Sequence, residues 1–288
     1  MPLLAGGTSD YVSVMKKTAL LSSRSLLKLT GSDAIDFLQN LVTCDVETLA
    51  TGQITFGALL TPQGKILFDF YLQRQSDCVL MDVDSTQLEA LKMRLTFYKL
   101  RADVEIIPPD LQVYASWGDA ICDGTVDPRN SALGHRIYAE SMDTNALESD
   151  WNDHRLRLGI PASGTDFELG SLFPHDALMD QFELGGIDFS KGCYVGQEVV
   201  SRMQHRATAR NRFVNVTSPS GTLAPAGTEI TAAGKKIGTM GSSNAEHGLA
   251  LVRIDRAAKA IENGDDFQLA KQKILLAPAA FTKFDWPT

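Results

Sequence analysis

Short apolar runs separated by turns and helical patterns dominate the chain as far as residue 107. Strands are predicted from these runs at 26–29, 55–60, 66–73, 78–83 and 102–107. A helix is predicted at 35–42, where apolar residues recur at helical spacing behind a capping box at 30–33. A second helix, capped at 86–89, is predicted before the last of these strands. The order of hairpin, strand, helix and strand predicts an α+β layer.

The middle of the chain is less regular. Strands are predicted at 111–116 and 135–139, where short apolar runs recur. A short amphipathic helix is predicted at 151–158, and Gly159 ends its pattern. Residues 162–189 then make a long connection with few periodic positions. Connections of that length are uncommon inside compact domains and are often functional.

After Asn211 the pattern changes to short apolar runs with glycine-rich turns between them. Strands are predicted at 212–216, 229–232, 236–240, 248–254, 266–270 and 273–276. Evenly spaced short strands of this kind are typical of a small antiparallel β-barrel. The sequence therefore predicts an α+β region at 15–210, with room for two subdomains, and a C-terminal barrel at 211–288.

Composition narrows the function classes. The 27 basic and 35 acidic side chains give a net charge of −8, which argues against general nucleic-acid binding. The four cysteines, at 44, 78, 122 and 193, lie far apart without a C-x-x-C pair, so neither a disulfide framework nor a metal site is expected. No apolar run approaches the roughly 18 residues that span a bilayer. A monomer in the reducing cytoplasm, without membrane association, is the expectation.

The N-terminal segment does not have the form of a targeting signal. No Lys or Arg precedes Lys16, and no long apolar core is present before it. Residues 1–14 are either native or a leader ahead of a natural start at Met15, and both alternatives stay open.

One cysteine lies in a context that favours exposure and reactivity. Cys193 stands between Gly192 and Gly196, whose backbone freedom suits a sharp turn, and good helix formers begin at Gln197. A helix N-terminus there and the charge of Lys191 would both favour the thiolate. The alternative is that Cys193 is a small buried apolar residue.

Three arginines follow this cysteine at four-residue spacing. While a helix lasts, Arg202, Arg206 and Arg210 would stack on one face, and such a row of like charges favours an anion or a carboxylate partner. A solvated helix face is the alternative interpretation.

The stretch from Gly185 to Arg202, GGIDFSKGCYVGQEVVSR, resembles the signature of the YgfZ family. These proteins are folate-binding relatives of the glycine-cleavage T-protein that support iron–sulfur cluster proteins. Similarity to the same family is found at 37–45, 56–67 and 157–161, so the resemblance extends from about Leu20 onward. It implies a T-protein-like folate-binding fold with a mixed α/β N-terminal part and a small C-terminal antiparallel barrel.

The resemblance also implies a ligand and its contacts. The cofactor would be tetrahydrofolate or another folate, bound in a cleft of the α+β part that the 185–206 segment closes. Predicted folate contacts are Arg24, Asp69, Tyr194, Gln197 and Glu198, with Arg202 and Arg206 for the tail carboxylates. Asp69 is the one acid left of a pair in T-protein relatives, because Phe68 stands beside it, and this departure counts against aminomethyl transfer.

Two hypotheses from different classes follow. In the first, the protein is a folate-binding accessory factor for assembly, maintenance or repair of iron–sulfur proteins, with Cys193 as the working thiol assisted by Lys191. Its partners would be client or assembly proteins that bind transiently. In the second, it is a tetrahydrofolate-dependent methyl- or aminomethyltransferase. A cysteine enzyme of acyl-transfer or peroxide type is a weaker third alternative, because no fixed histidine partner is evident.

Overall fold

The structure is a computed structural model, and it describes residues 16–118, 124–206 and 209–287. These residues form three antiparallel sheets. The strands are β1 (Lys17–Leu20), β2 (Arg24–Thr30), β3 (Ile54–Leu60), β4 (Ile66–Arg74), β5 (Val79–Asp84), β6 (Glu105–Ile107), β7 (Gln112–Trp117), β8 (Thr125–Val126), β9 (His135–Ala139), β10 (Asn211–Thr217), β11 (Glu229–Ala232), β12 (Lys235–Ser243), β13 (His247–Arg253), β14 (Phe267–Leu269), β15 (Gln272–Lys273) and β16 (Leu275–Ala277). The helices are α1 (Ala34–Gln39), α2 (Leu88–Lys99), α3 (Glu148–Leu158), α4 (Gln197–His205) and α5 (Ile254–Glu262).

The first sheet has the strand order β3-β4-β5-β2-β6 and carries α1 and α2. Its apolar side chains pack with those of the two helices into one core, in which Leu27, Leu38, Phe70 and Leu95 are fully buried. The hairpin and the strands predicted from the apolar runs are confirmed here. Each of those runs lies on a buried face, and burial is what made them visible in the sequence.

Helix capping in this layer differs from the prediction. Asp33 precedes α1 but does not cap it, because its carboxylate accepts the backbone N–H of Asp103 at 2.8 Å. The turn at 85–87 before α2 is capped by Asp84, which accepts the N–H of Thr86 at 2.8 Å. Both predicted capping boxes are therefore wrong. At α1 the Asp33 carboxylate is occupied by Asp103, and before α2 the cap is Asp84, which lies outside the predicted box.

The second sheet has the order β1-β7-β9-β8 and packs against α3. The rings of Trp117 in β7 and Trp151 in α3 lie 5.5 Å apart. Strands β1 and β8 were not predicted: they are four and two residues long, and β1 pairs with a strand about a hundred positions away. Such short strands depend on distant pairing and leave little local pattern.

The third sheet has the order β15-β14-β11-β12-β13-β10-β16. Its two edge strands are separated only by Ile274, so the sheet curls into a nearly closed barrel, and the predicted fold class is confirmed. Helix α5 was not predicted, because the apolar run at 248–254 was assigned wholly to a strand. The run changes to a helix at Ile254, where Ala257 and Ala260 bury the inner face.

The long connection between α3 and α4 holds the parts together. Its residue Leu172 accepts the N–H of Ile66 at 2.9 Å, and Gly186 donates to the carbonyl of Phe56 at 2.6 Å. Asp176 accepts the N–H of Phe213 in the barrel at 3.3 Å. The connection therefore ties the β3–β4 hairpin to β10. Over the described ranges, no helix combines the length and the apolar character needed to cross a membrane.

Candidate functional site

A central cavity of about 410 Å³ lies where β2, β4, β9 and α3 meet the 161–165 loop. Two residues predicted from the sequence, Arg24 and Asp69, line it. Its other principal side chains were not predicted, and they are Phe56, Tyr71, Asp84, Arg129, Arg136, Glu148, Trp151, Arg155 and Ser163.

One side of the cavity is built on a buried carboxylate. Asp82 in β5 accepts hydrogen bonds from Arg24 Nε at 2.6 Å and from Arg136 Nη1 at 2.5 Å. Arg24 Nη2 also donates to the Asp82 carbonyl at 2.7 Å. Asp82 is completely buried and Arg136 nearly so. The carboxylate therefore fixes two guanidinium groups that come from strands in different sheets.

Tyr71 connects this pair of cations to a second carboxylate. Its hydroxyl donates to Asp127 Oδ2 at 3.0 Å and accepts from Arg136 Nη2 at 2.8 Å, while the Arg136 guanidinium lies 3.7 Å from the centre of its ring. Arg129 donates to Asp127 through Nε at 3.1 Å and Nη2 at 3.0 Å. Burial alone would raise the pKa of Asp127, but the charges of Arg129 and Arg136 hold it below its ordinary value.

This network leaves hydrogen-bond donors for a ligand. Arg24 and Arg129 use Nε and Nη2 within the protein, and for their Nη1 groups no acceptor is found among the residues the structure describes. Both side chains line the cavity beside the rings of Phe56 and Trp151. The cavity thus combines aromatic surface with uncommitted guanidinium N–H groups.

Asp69 contributes an acid to the same cavity. Its Oδ1 accepts the hydroxyl of Ser163 at 2.6 Å. Burial raises the pKa of Asp69, although the Ser163 hydrogen bond and the charges of Arg24 and Arg129 oppose the rise. Asp84 lines the cavity as well, so a second carboxylate is present that does not neighbour Asp69 in the sequence.

The signature segment lies elsewhere. Helix α4 begins at Gln197 as predicted, after Gly196 with a φ of +81°. A Cβ on Gly196 would come within 2.6 Å of the Thr61 carbonyl oxygen, so the segment packs directly on the β3–β4 turn. Cys193 precedes this contact and is exposed.

The structure places the ammonium group of Lys191 against main-chain carbonyl groups. Its Nζ donates to the carbonyl oxygens of Val42 at 2.8 Å and Cys44 at 2.6 Å. The ammonium group therefore anchors the segment to residues 42–44, and its effect on Cys193 stays a prediction. Burial lowers the pKa of Lys191, opposed by the nearby Cys44, Asp45 and Asp188.

The other predicted folate contacts are not brought to the central cavity. Tyr194, Gln197, Glu198, Arg202 and Arg206 are absent from its lining, and so is the rest of the 185–206 segment. A folate cleft closed by this segment therefore stays a prediction, separate from the central cavity. Arg202 pairs with Glu198 at 2.6 Å on an exposed helix face, and Arg206 follows the end of α4. Because α4 ends at His205, the predicted three-arginine row does not form on one helix.

A second concave region, which we call the signature groove, has a volume of about 680 Å³. Its walls come from 45–55, 124–126 and 184–189, the last of which overlaps the signature. Val126, Leu184 and Phe189 lie in it with 41%, 63% and 39% of their surfaces exposed. None of its residues lines the central cavity. These three side chains give the groove an apolar part that is open to solvent.

The remaining cysteines differ from Cys193 in their surroundings. Cys44 is fully buried, and burial raises its pKa to about 12. Cys78 is half-buried, and partial burial together with Asp77 raises its pKa. Cys122 lies outside the described residues, as do Met15 and the segment before it. Cys193 is the most exposed cysteine of the three that are described.

Comparison with known proteins finds similarity to one domain family and to several named proteins. Residues 210–283 match the family described as the CAF17 C-terminal beta-barrel domain. A protein of Mycosarcoma maydis named iron-sulfur cluster assembly factor IBA57 homolog, mitochondrial, is 30% identical over 240 residues, which are 73% of this chain and 59% of that protein. Human iron-sulfur cluster assembly factor IBA57, mitochondrial, is 27% identical over 308 residues, covering 93% of this chain and 85% of the human protein. The chain spans little more than half the length of the fungal relative.

Among solved structures, the chain resembles the glycine cleavage system aminomethyltransferase T of Bartonella henselae. The TM-score is 0.75, with 15% sequence identity, over 95% of this chain and 88% of the other. The likeness establishes a T-protein-like fold.

Proposed function

Because the homologues of this chain are named iron–sulfur cluster assembly factors, we propose that the protein supports the assembly, maintenance or repair of iron–sulfur cluster proteins. It binds tetrahydrofolate or another folate in the central cavity and uses Cys193 as its working thiol. The observation that carries the proposal is the exposure of Cys193 on the same segment that lines the apolar signature groove.

The residues of the central cavity fit a folate. A pterin ring needs flat apolar contact, which Phe56 and Trp151 supply, and a polar group for its edge, which Asp69 supplies. The carboxylates of the glutamate tail need donors, and the Nη1 groups of Arg24 and Arg129 have no acceptor among the described residues. This placement keeps Arg24 and Asp69 as folate contacts and replaces Arg202 and Arg206 by Arg129.

Cys193 fits a role at a protein surface. Its side chain is exposed, and the preceding residues Leu184 and Phe189 offer exposed apolar contact to a partner. Client or assembly proteins would bind there transiently and meet the thiol. This proposal assigns cofactor binding and partner contact to two separate regions.

Folate binding is tested by calorimetric titration with tetrahydrofolate. Removing the Arg129 guanidinium should weaken binding by about 1.5–3 kcal/mol if its contact is charge-assisted. Because Arg129 also holds Asp127 and Arg24 also holds Asp82, the milder variant Arg24→Lys is tested as well, which keeps a cation but loses the forked geometry. An Arg202→Ala, Arg206→Ala double variant is the control that keeps wild-type affinity. Loss of affinity in the control alone would move the folate site to the signature segment.

The role of Cys193 is tested in cells that lack the protein. Cys193→Ala should fold and bind folate like the wild type but fail to restore the activity of iron–sulfur enzymes. Cys78→Ala is the matched control, because it removes another described thiol without touching the signature. Full restoration by the Cys193 variant would remove the thiol from the mechanism.

A second candidate function is tetrahydrofolate-dependent methyl or aminomethyl transfer. It is favoured by one observation: Asp69 lies in the cavity with two further acids, Asp84 and Glu148, on the same lining. A one-carbon transfer assay on the purified protein distinguishes the transferase from the accessory factor. Turnover that Asp69→Asn abolishes would favour the transferase over the accessory factor.

The cellular setting is part of the same proposal. The relatives are named mitochondrial, whereas the sequence leads to the expectation of a cytoplasmic monomer. Cell fractionation tests whether the protein is mitochondrial or cytoplasmic, and sedimentation tests whether it is a monomer.

A further inference from the structure

Charge is distributed unevenly along this acidic chain. Residues 1–210 contain 18 Lys and Arg against 28 Asp and Glu, whereas residues 211–288 contain nine against seven. The barrel is therefore mildly cationic, although the chain as a whole carries −8. An anionic partner that approaches the molecule is steered toward the barrel.

The cations of the barrel converge on a concavity of about 520 Å³ between the β11–β12 hairpin and α5, which we call the barrel groove. Its floor is apolar and buried, formed by Ala232, Ile237 and Ala260. Four cations surround the floor, and they are Lys235, Lys236, Arg256 and Lys259. Asp265 is the carboxylate on the lining.

Most of these cations lack a carboxylate partner. Lys236 pairs with Glu229 at 2.9 Å, but for Lys235, Arg256 and Lys259 no ion pair is found within the described ranges. Arg256 is fixed in place, since its Nη1 donates to the Lys236 carbonyl at 2.7 Å. Arg256 and Lys259 stand three residues apart on α5, so their charges face the same side and repel each other. An anion in the groove relieves that repulsion.

We propose that the barrel groove binds a carboxylate-rich segment of a partner protein. An extended polyanion such as nucleic acid or a membrane surface reaches far beyond four cations and meets the strongly acidic remainder of the chain. A short acidic segment stays within the groove, and its side-chain methylenes or apolar neighbours cover Ile237 and the two alanines. The proposal is independent of folate binding and of Cys193.

The test uses a short fluorescein-labelled peptide rich in glutamate and the full-length protein, with fluorescence anisotropy as the readout. The double variant Lys235→Glu, Lys259→Glu reverses two exposed charges of the groove. Its matched control is Lys271→Glu, Lys283→Glu, which makes the same change of net charge on exposed barrel residues outside the groove lining. Thermal unfolding of both variants verifies that the barrel is intact.

We expect the groove variant to bind the peptide at least about tenfold more weakly, while the control binds it like the wild type. Binding should also weaken between about 0.05 M and about 0.5 M salt, and the same peptide with glutamine should not bind. Equal loss in both double variants would show a general charge effect and overturn the proposal. Tighter binding of single-stranded RNA, inorganic phosphate or anionic vesicles than of the peptide, with the same dependence on the groove, would overturn the choice of partner.

Discussion

Replacing the buried Asp82 is the strictest test of which interactions hold the central cavity together. Replacing it by alanine leaves Arg24 and Arg136 without their shared partner, and Arg136 is almost completely buried. Breaking a buried pair by removing one side costs about 3–5 kcal/mol, because a charge is left uncompensated. Asp82→Ala should therefore lose about that much of the free energy of unfolding.

The assay is urea denaturation followed by tryptophan fluorescence, since Trp151 lines the cavity and Trp117 packs beside it. The matched control is Asp77→Ala, which removes an acid from the same sheet region. Asp77 is 74% exposed and lies 3.8 Å from Lys28, so this variant should lose less than about 1 kcal/mol.

A double replacement shows whether the lost stability comes from the uncompensated charge of Arg136. In Asp82→Ala, Arg136→Met the buried charge is removed with its partner, and a double-mutant cycle should show that the two losses are not additive. If Asp82→Ala costs no more than Asp77→Ala, or if the two changes add, the cavity is not organised by this carboxylate and the reasoning fails.

Three further predictions concern single residues. At neutral pH Cys193 should react with iodoacetamide faster than Cys44, because burial raises the Cys44 pKa to about 12, and equal labelling in peptide mass spectra would contradict this. Burial raises the pKa of Asp69 in the folded state. The wild type should therefore lose stability relative to Asp69→Asn as pH rises from 3.8, the ordinary pKa of an aspartate, through the higher folded-state pKa. A difference in denaturation midpoints that stays constant across that window would refute this prediction. Gly196→Ala should cost about 1–3 kcal/mol of unfolding free energy on urea denaturation, because its φ is +81° and the new Cβ meets the Thr61 carbonyl. The control Gly192→Ala, with open space around it, should cost less than about 0.5 kcal/mol, and similar losses in both variants would count against the contact.

The sequence predicted what local pattern determines. Apolar runs such as 66–73 became strands because their side chains meet a core, and the glycine before Gln197 marked the start of α4. Helix α5 was missed because its first residue, Ile254, was taken as the end of a strand, although Ala257 and Ile261 continue from it at helical spacing.

The buried ion network was not predictable from local pattern, because its members come from β2, β4, β5 and β9 and meet only in three dimensions. One signal was nevertheless present. Asp82 stands between Met81 and Val83 in the buried part of the run VLMDVD, and a charge inside a buried strand needs a partner. The direction of Lys191 carried no such signal, since its acceptors are main-chain carbonyls about 150 residues away.

The hairpin β3–β4 explains how one fold accommodates both regions. Within β3, Thr55 lines the signature groove and Phe56, the next residue, lines the central cavity. The carbonyl of Phe56 also accepts the N–H of Gly186, so the signature segment is attached to the same strand. Because successive side chains of a strand point to opposite faces, the hairpin separates the two regions and contributes side chains to each of them. Arg24→Lys in the central cavity and Cys193→Ala on the signature segment should therefore each leave the chemistry of the other region unchanged.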